Sequence, residues 1–228
     1  MIMFKIAAHR GGNSWSDLLI SIEKGFDCVE LDVHLSHDNY VLVQYSPKVH
    51  INGEVIYIQD LCYAQLSASE KDDLLLLSDV LAFSKGKIDV VIDIKRGRDY
   101  YPQIGERVAD LIRQFEMYNN TWVISFDHCC LIEAKRYDPF IKIALMYVAR
   151  PYDEELYWKN ANTDGIEVCN DYLNAEIAGK AHAFNIMLIG WCTMDFNEID
   201  WLIDLGTDII TIELENCYLD YVKARRGD

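Results

Sequence analysis

Basic residues are scarce in this chain of 228: 21 lysines and arginines stand against 37 aspartates and glutamates, a formal net charge of −16. A surface of that sign repels phosphate backbones and anionic membrane faces, so no nucleic-acid partner is expected. No apolar run reaches the roughly 18 residues of a membrane span, and no membrane insertion is expected. The start, Met1-Ile2-Met3-Phe4-Lys5-Ile6, is too short and too quickly polar for a signal peptide. The seven cysteines contain no C-x-x-C pair, which removes a zinc ribbon and a thioredoxin motif. Several lie in apolar runs, as in Phe26-Asp27-Cys28-Val29, and read as reduced thiols of a cytoplasmic protein. Only four prolines occur, and no Pro/Gly/Ser-rich linker. Residues 1–228 therefore read as a single domain.

What is present is an alternation of short apolar runs and longer amphipathic ones. The pattern predicts strands at Met3–Ala8, Cys28–Val33, Ile88–Ile94 and Trp122–Ser125. Four more follow at Ile141–Met146, Gly165–Val168, Ile186–Trp191 and Ile209–Thr211. Helices are predicted at Asp17–Lys24, Ser78–Ser84, Ile104–Tyr118 and Cys130–Tyr137. The later ones are Glu154–Lys159, Leu173–Ala183, Glu198–Leu205 and Asn216–Arg225. Strictly alternating strands and helices imply parallel pairing with right-handed crossovers. Eight βα units of about 28 residues each favour a (β/α)8 TIM barrel over an open doubly wound sheet. An excursion follows the second strand, about residues 34–77. It holds a small strand at Tyr40–Val43 and an acidic helix-like stretch at Ser69–Asp73.

Function in such a barrel sits at the C-terminal strand ends. The first strand ends in His9-Arg10-Gly11-Gly12 and the second carries Glu30-Leu31-Asp32. Residues two apart share a strand face, which here is the interior. Two interior carboxylates repel unless a cation lies between them. Asp93 offers a third oxygen from the next strand. An all-oxygen set suits a hard divalent ion, Mg²⁺ or Ca²⁺. Arg10 and Lys95 beside it point to an anionic substrate, with phosphate the natural choice. His9 can carry a proton near neutral pH. The alternative is a purely structural network in which Arg10 and Lys95 neutralise Glu30 and Asp32. Trp191 and Glu167, at later strand ends, are candidates for substrate contact; the alternatives are barrel packing and capping of the next helix.

These runs resemble the glycerophosphodiester phosphodiesterases. The resemblance begins with Ala8-His9-Arg10-Gly11 and Val29-Glu30-Leu31-Asp32-Val33. It continues through Leu35-Ser36-His37-Asp38, Asp93-Ile94-Lys95, Ser125-Phe126-Asp127, Gly190-Trp191-Cys192-Thr193 and Gly206-Thr207-Asp208-Ile209-Ile210-Thr211. It implies a TIM barrel of the phospholipase-C-like phosphodiesterase type that hydrolyses a small phosphodiester with a divalent metal. It implies Glu30, Asp32 and Asp93 as metal ligands, His9 as an acid/base residue, and Arg10 and Lys95 on the phosphate. The family's second histidine, followed by aspartate, is replaced here by Tyr45-Ser46, with His50 five residues on. The closing strand reads Thr211-Ile212-Glu213-Leu214 where the family has Thr-Asp-x-Pro. Two readings follow: a hydrolase with reduced or altered activity in which Tyr45 takes the catalytic position, or an impaired protein that binds metal and phosphate. Chemistry giving a cyclic phosphate is the third.

Overall fold

The computed structural model describes residues 4–51, 53–67 and 74–227. The chain runs β1 (Lys5–Ala8), α1 (Trp15–Lys24), β2 (Cys28–Leu35), β3 (Val41–Val43), β4 (Lys48–Ile51) and β5 (Glu54–Tyr57). A 3-10 turn at Ile58–Asp60 leads to α2 (Tyr63–Ser67), β6 (Leu75–Leu76), α3 (Leu77–Ser84) and β7 (Asp89–Ile94). Regular alternation then follows: α4 (Ile104–Gln114), β8 (Thr121–Ser125), α5 (His128–Tyr137), β9 (Ile143–Tyr147), α6 (Glu154–Ala161) and β10 (Gly165–Val168). The last elements are α7 (Ala175–Ala183), β11 (Met187–Thr193), α8 (Phe196–Asp204), β12 (Ile209–Ile212) and α9 (Asn216–Arg226).

Eight parallel strands close a barrel in the order β1-β2-β7-β8-β9-β10-β11-β12, and β1 seals it by pairing with both β12 and β2. The (β/α)8 expectation holds and the open sheet is excluded. Every predicted barrel strand forms, with ends displaced by up to two residues. The predicted start at Met3 and the stretch Ser69–Asp73 lie outside the described residues.

The strand faces divide the core in two. Outward residues such as Ile6, Leu31, Val33 and Leu188 pack against helix residues such as Leu18, Val108, Leu131 and Leu202. Inward residues Ala7, Cys28, Val91, Trp122, Ala144, Met146, Ile189 and Ile209 fill the barrel as a separate plug. The polar residues Glu30, Asp32 and Asp93 continue the inward rows above that plug. The barrel is thus solid below and chemical above.

Helix starts follow side-chain capping, each cap worth about 1 kcal/mol. Ser14 accepts the Asp17 amide and starts α1 at Trp15, earlier than the predicted Asp17. Asp127, Asp153, Asn174 and Asp195 do the same for α5 to α8. The helix predicted to reach Tyr118 ends at Gln114 instead, because Glu116 turns to a positive φ of 55°. Met117 and Tyr118 still meet the core from that turn, so their apolar spacing mimics a further helical turn.

The excursion holds more structure than the sequence reading assigned. β3 pairs antiparallel with the end of β2 and with β6. β4 and β5 form a separate hairpin. Its signal, the Asn52-Gly53 pair between β-branched residues, is a strong hairpin cue. Leu42, Val49, Ile58, Leu61 and Leu66 make a small core beneath it.

Helices α4 and α5 meet at Gly105, where an added Cβ would lie 2.6 Å from the Cys130 carbonyl oxygen and 2.9 Å from Ala134 Cβ. Gly105→Ala is expected to lower unfolding stability by about 1–3 kcal/mol, seen as a lower urea midpoint at unchanged m-value.

Candidate active site

The turn after β1 builds one wall of the barrel mouth. The His9 amide donates to the Ile212 carbonyl at 2.8 Å, extending the β1–β12 ladder by one residue. Arg10 then enters the left-handed region, φ 52°, which turns its amide onto Glu30 Oε2 at 2.7 Å. Gly11 follows because a Cβ there would lie 2.5 Å from Ala8 Cβ and 2.6 Å from Ser21 Oγ. Asn13 clamps Asp32 from both sides: its Nδ2 donates to Asp32 Oδ2 at 2.6 Å, and its Oδ1 accepts the Asp32 amide at 2.9 Å.

Glu30 and Asp32 lie on the inward face of β2, and Asp93 sits beside Asp32 in register on β7. All three are buried, with one carboxylate oxygen of each within 4.8 Å of the others. Lys95 Nζ stands 2.6 Å from Asp32 Oδ1 and also donates to Asp93 Oδ2. Arg10 Nε lies 3.8 Å from Asp32 Oδ2. Burial pushes Glu30 up to about 8, helped by the charges of Asp32 and Asp93. Burial likewise lifts Asp93 to about 6, against the pull of Lys95. For Lys95, desolvation favours the neutral amine, but Asp93 and Asp32 outweigh it and the pKa rises. Asp93 Oδ1 is buried without a hydrogen-bond partner. Three buried carboxylates with one half-buried ammonium leave negative charge over, and the donors are oxygen alone. That set fits a hard divalent cation.

Glu213, just beyond β12, is the residue the sequence reading passed over. Its Oε1 lies 2.7 Å from His9 Nδ1, so the carboxylate orients the imidazole and leaves Nε2 as its free nitrogen. The only sequence signal was position: a carboxylate at a barrel strand end, next to the strand that carries His9.

Tyr45 is half exposed at the rim. The Arg10 guanidinium stacks on its ring, 3.6 Å from the centroid, with Lys95 Nζ 6.0 Å away. Its carbonyl accepts from buried His34 Nε2 at 3.2 Å, and the other His34 nitrogen lies 2.9 Å from the Tyr101 hydroxyl. Ser46 does not reach the mouth; its hydroxyl closes a local turn with Lys48. His50 is exposed on β4, paired with Val55, and does not line the cavity.

The other candidates converge. His9, Arg10, Glu30, Tyr45, Asp93, Lys95, Glu167 and Trp191 line one cavity of about 370 Å³, together with Glu213 and Cys192. Asp32 lies beneath them, 1% exposed. Glu167 faces inward from β10 and does not cap a helix. Burial, with the charges of Asp93 and Glu30, holds its pKa well above the ordinary value. Trp191 packs on Phe126 with ring centroids 5.6 Å apart while still facing the cavity.

The family model described as the glycerophosphoryl diester phosphodiesterase family matches residues 13–213. A glycerophosphodiester phosphodiesterase of Bacillus altitudinis is 24% identical over 227 residues, covering 90% of this chain and 93% of that protein. Another from Caldanaerobacter subterraneus subsp. tengcongensis is 28% identical over 161 residues, 62% of this chain and 66% of that one. Among solved structures, a glycerophosphodiester phosphodiesterase from Parabacteroides distasonis superposes with a TM-score of 0.81 at 22% identity, covering 98% of both chains. An Oleispira antarctica phosphodiesterase in complex with sn-glycerol-3-phosphate gives 0.83 at 14% identity, covering 97% of both. At those identities the two structures establish the shared barrel.

Burial lowers His34 from 6.5 to about 4. Between those values the unfolded chain binds a proton that the folded chain refuses, so stability falls as pH drops through that window. The loss is on the order of 2–3 kcal/mol. His34→Gln is expected to lose less stability than the parent between pH 7 and about pH 4.5, measured by urea unfolding.

Proposed function

The chain belongs to the glycerophosphoryl diester phosphodiesterase family, and from that premise we propose that it hydrolyses small glycerophosphodiesters in the barrel mouth with a divalent cation. The observation that carries this reading is the convergence of three buried carboxylates, two cations and a carboxylate-oriented histidine on one cavity.

Glu30, Asp32 and Asp93 would hold the cation, Mg²⁺ or Ca²⁺. When bound, it withdraws charge from the phosphoryl oxygens. Arg10 and Lys95 hold the phosphate from the side facing Tyr45. Hydrolysis forms a bond between phosphorus and a water oxygen and breaks one to an ester oxygen. A proton leaves the water, and one reaches the departing alkoxide. His9 Nε2 serves one of these transfers, with Glu213 holding the ring in place. Tyr45 stands where the family carries its second histidine, and its phenol is the group left for the other transfer. A phenol is a mismatched partner in an imidazole's place, and a mismatched or lost acid/base partner costs about 10²–10⁴ in rate. The enzyme is therefore slow. Glu167 in its protonated form would donate a hydrogen bond to a substrate oxygen, and Trp191 can pack against the esterified alcohol. The product class is that of the Oleispira antarctica relative, a glycerol phosphate. Seven unpaired cysteines support a reducing, cytoplasmic setting.

Glycerophosphocholine hydrolysis followed by phosphorus NMR tests the reading. Asp32→Ala, or EDTA on the parent, is expected to lower the rate roughly 10²–10³-fold or more, the scale of several kcal/mol of lost charge stabilisation. Activity that survives both overturns metal-dependent hydrolysis, and a cyclic product replaces it with a transfer to a neighbouring hydroxyl. Tyr45→His with Ser46→Asp is expected to raise kcat by roughly 10². A parent already turning over at ordinary enzyme rates removes the reduced-activity reading.

A further inference from the structure

A second cluster of ligand atoms shares the mouth with the carboxylate cage. His9 follows β1, Glu213 follows β12 and Cys192 lies in β11, three neighbouring strands. Glu213 Oε1 is 2.7 Å from His9 Nδ1 and 3.5 Å from Cys192 Sγ. All three ligand atoms fall within 4.8 Å of one another. We propose that His9, Cys192 and Glu213 form an inhibitory site for a thiophilic divalent cation such as Zn²⁺, separate from the all-oxygen cage.

Strict alternation along β11 would turn Cys192 outward, since Ile189 and Trp191 face in. The β11–β12 register slips between Gly190 and Thr193, and Trp191 and Cys192 both line the cavity as a result. The thiol is therefore aimed into the mouth by an irregularity of the strand. The donor set is one nitrogen, one sulfur and one oxygen, which selects zinc-like ions over Mg²⁺ or Ca²⁺. Bonds of about 2.0–2.3 Å in a tetrahedron place ligand atoms roughly 3.2–3.8 Å apart. The present spacings need shifts of less than about 1 Å to match. His9 and Glu213 side chains are 26% and 31% exposed, so an ion can reach them from the mouth, and a fourth position stays open to solvent.

The thiol binds a metal as thiolate, so its proton leaves to solvent as the ion binds. The ion also replaces the hydrogen bond between His9 Nδ1 and Glu213. Its effect on turnover rests on the proposed role of His9 as the acid/base residue; the site itself stands on geometry.

Cobalt(II) is the probe, added to the full chain in excess Mg²⁺, with Zn²⁺ as competitor. One Co²⁺ per chain is expected, with a thiolate-to-cobalt charge-transfer band. The band should disappear in Cys192→Ser and persist in Cys129→Ser/Cys217→Ser, the two exposed cysteines. Zinc affinity, read by competition with a chromogenic chelator, should fall roughly tenfold or more in Cys192→Ser and in Glu213→Gln. Absence of the band, or its survival in Cys192→Ser, overturns the site. Zinc should inhibit the parent and spare Cys192→Ser; full turnover with zinc bound overturns the inhibitory effect. If no diester is hydrolysed under any condition, the proposed function fails while the cobalt spectrum still decides the site.

Discussion

Placing three carboxylates inside a barrel, within 4.8 Å of one another, is the constraint around which the mouth is organised. Each charge resists transfer out of water, and each opposes the others. The neighbouring side chains and amides compensate. Lys95 bridges Asp32 and Asp93, the Arg10 amide donates to Glu30, and Asn13 donates to Asp32. Two of those donors come from the turn after β1, so the left-handed Arg10 and the unsubstituted Gly11 are electrostatic devices as much as turn geometry. Glu30 and Asp93 respond by holding protons more tightly than ordinary carboxylates. A divalent cation would relieve all of this at once, and the oxygen-only donor set suits a hard one.

The fold can carry such a cluster because its two cores are independent. Outward strand residues and helices supply the large apolar layer, and the inward plug of Cys28, Val91, Trp122 and Met146 closes the barrel beneath the acids. The polar layer lies above that plug and is held by its own hydrogen bonds and ion pairs. The excursion adds the remaining wall. It joins the barrel through the pairing of β3 with the end of β2, and buried His34 holds the backbone of Tyr45.

The mouth is chemically asymmetric. On one side Arg10, Lys95 and the ring of Tyr45 form a cationic wall. On the other, Glu167, Glu213, Cys192 and Trp191 form an acidic and apolar one. The overall charge of −16 does not exclude a phosphate ligand, because attraction is decided within a few ångströms by the cationic wall. The acidic wall is where a zinc-like ion would compete with catalysis, since it contains the carboxylate that orients His9.

Local pattern alone determined the alternation of elements, and with it the parallel closed barrel. It also picked out Glu30, Asp32, Asp93, Lys95, His9 and Arg10 as candidates that gather at one barrel mouth, because period-two spacing and strand-end position need no long-range knowledge. Tertiary structure decided the partners. Glu213 reaches His9 across 204 positions of sequence only because β12 closes on β1. The Asn13 clamp on Asp32 depends on the path of a short loop, and the Tyr45 stack on Arg10 depends on how the excursion folds back. Cys192 faces the cavity only because the β11–β12 register slips. Secondary-structure periodicity reports which face of a strand a residue occupies. It carries no information about ring closure, register slips or loop paths, and those set which side chains meet.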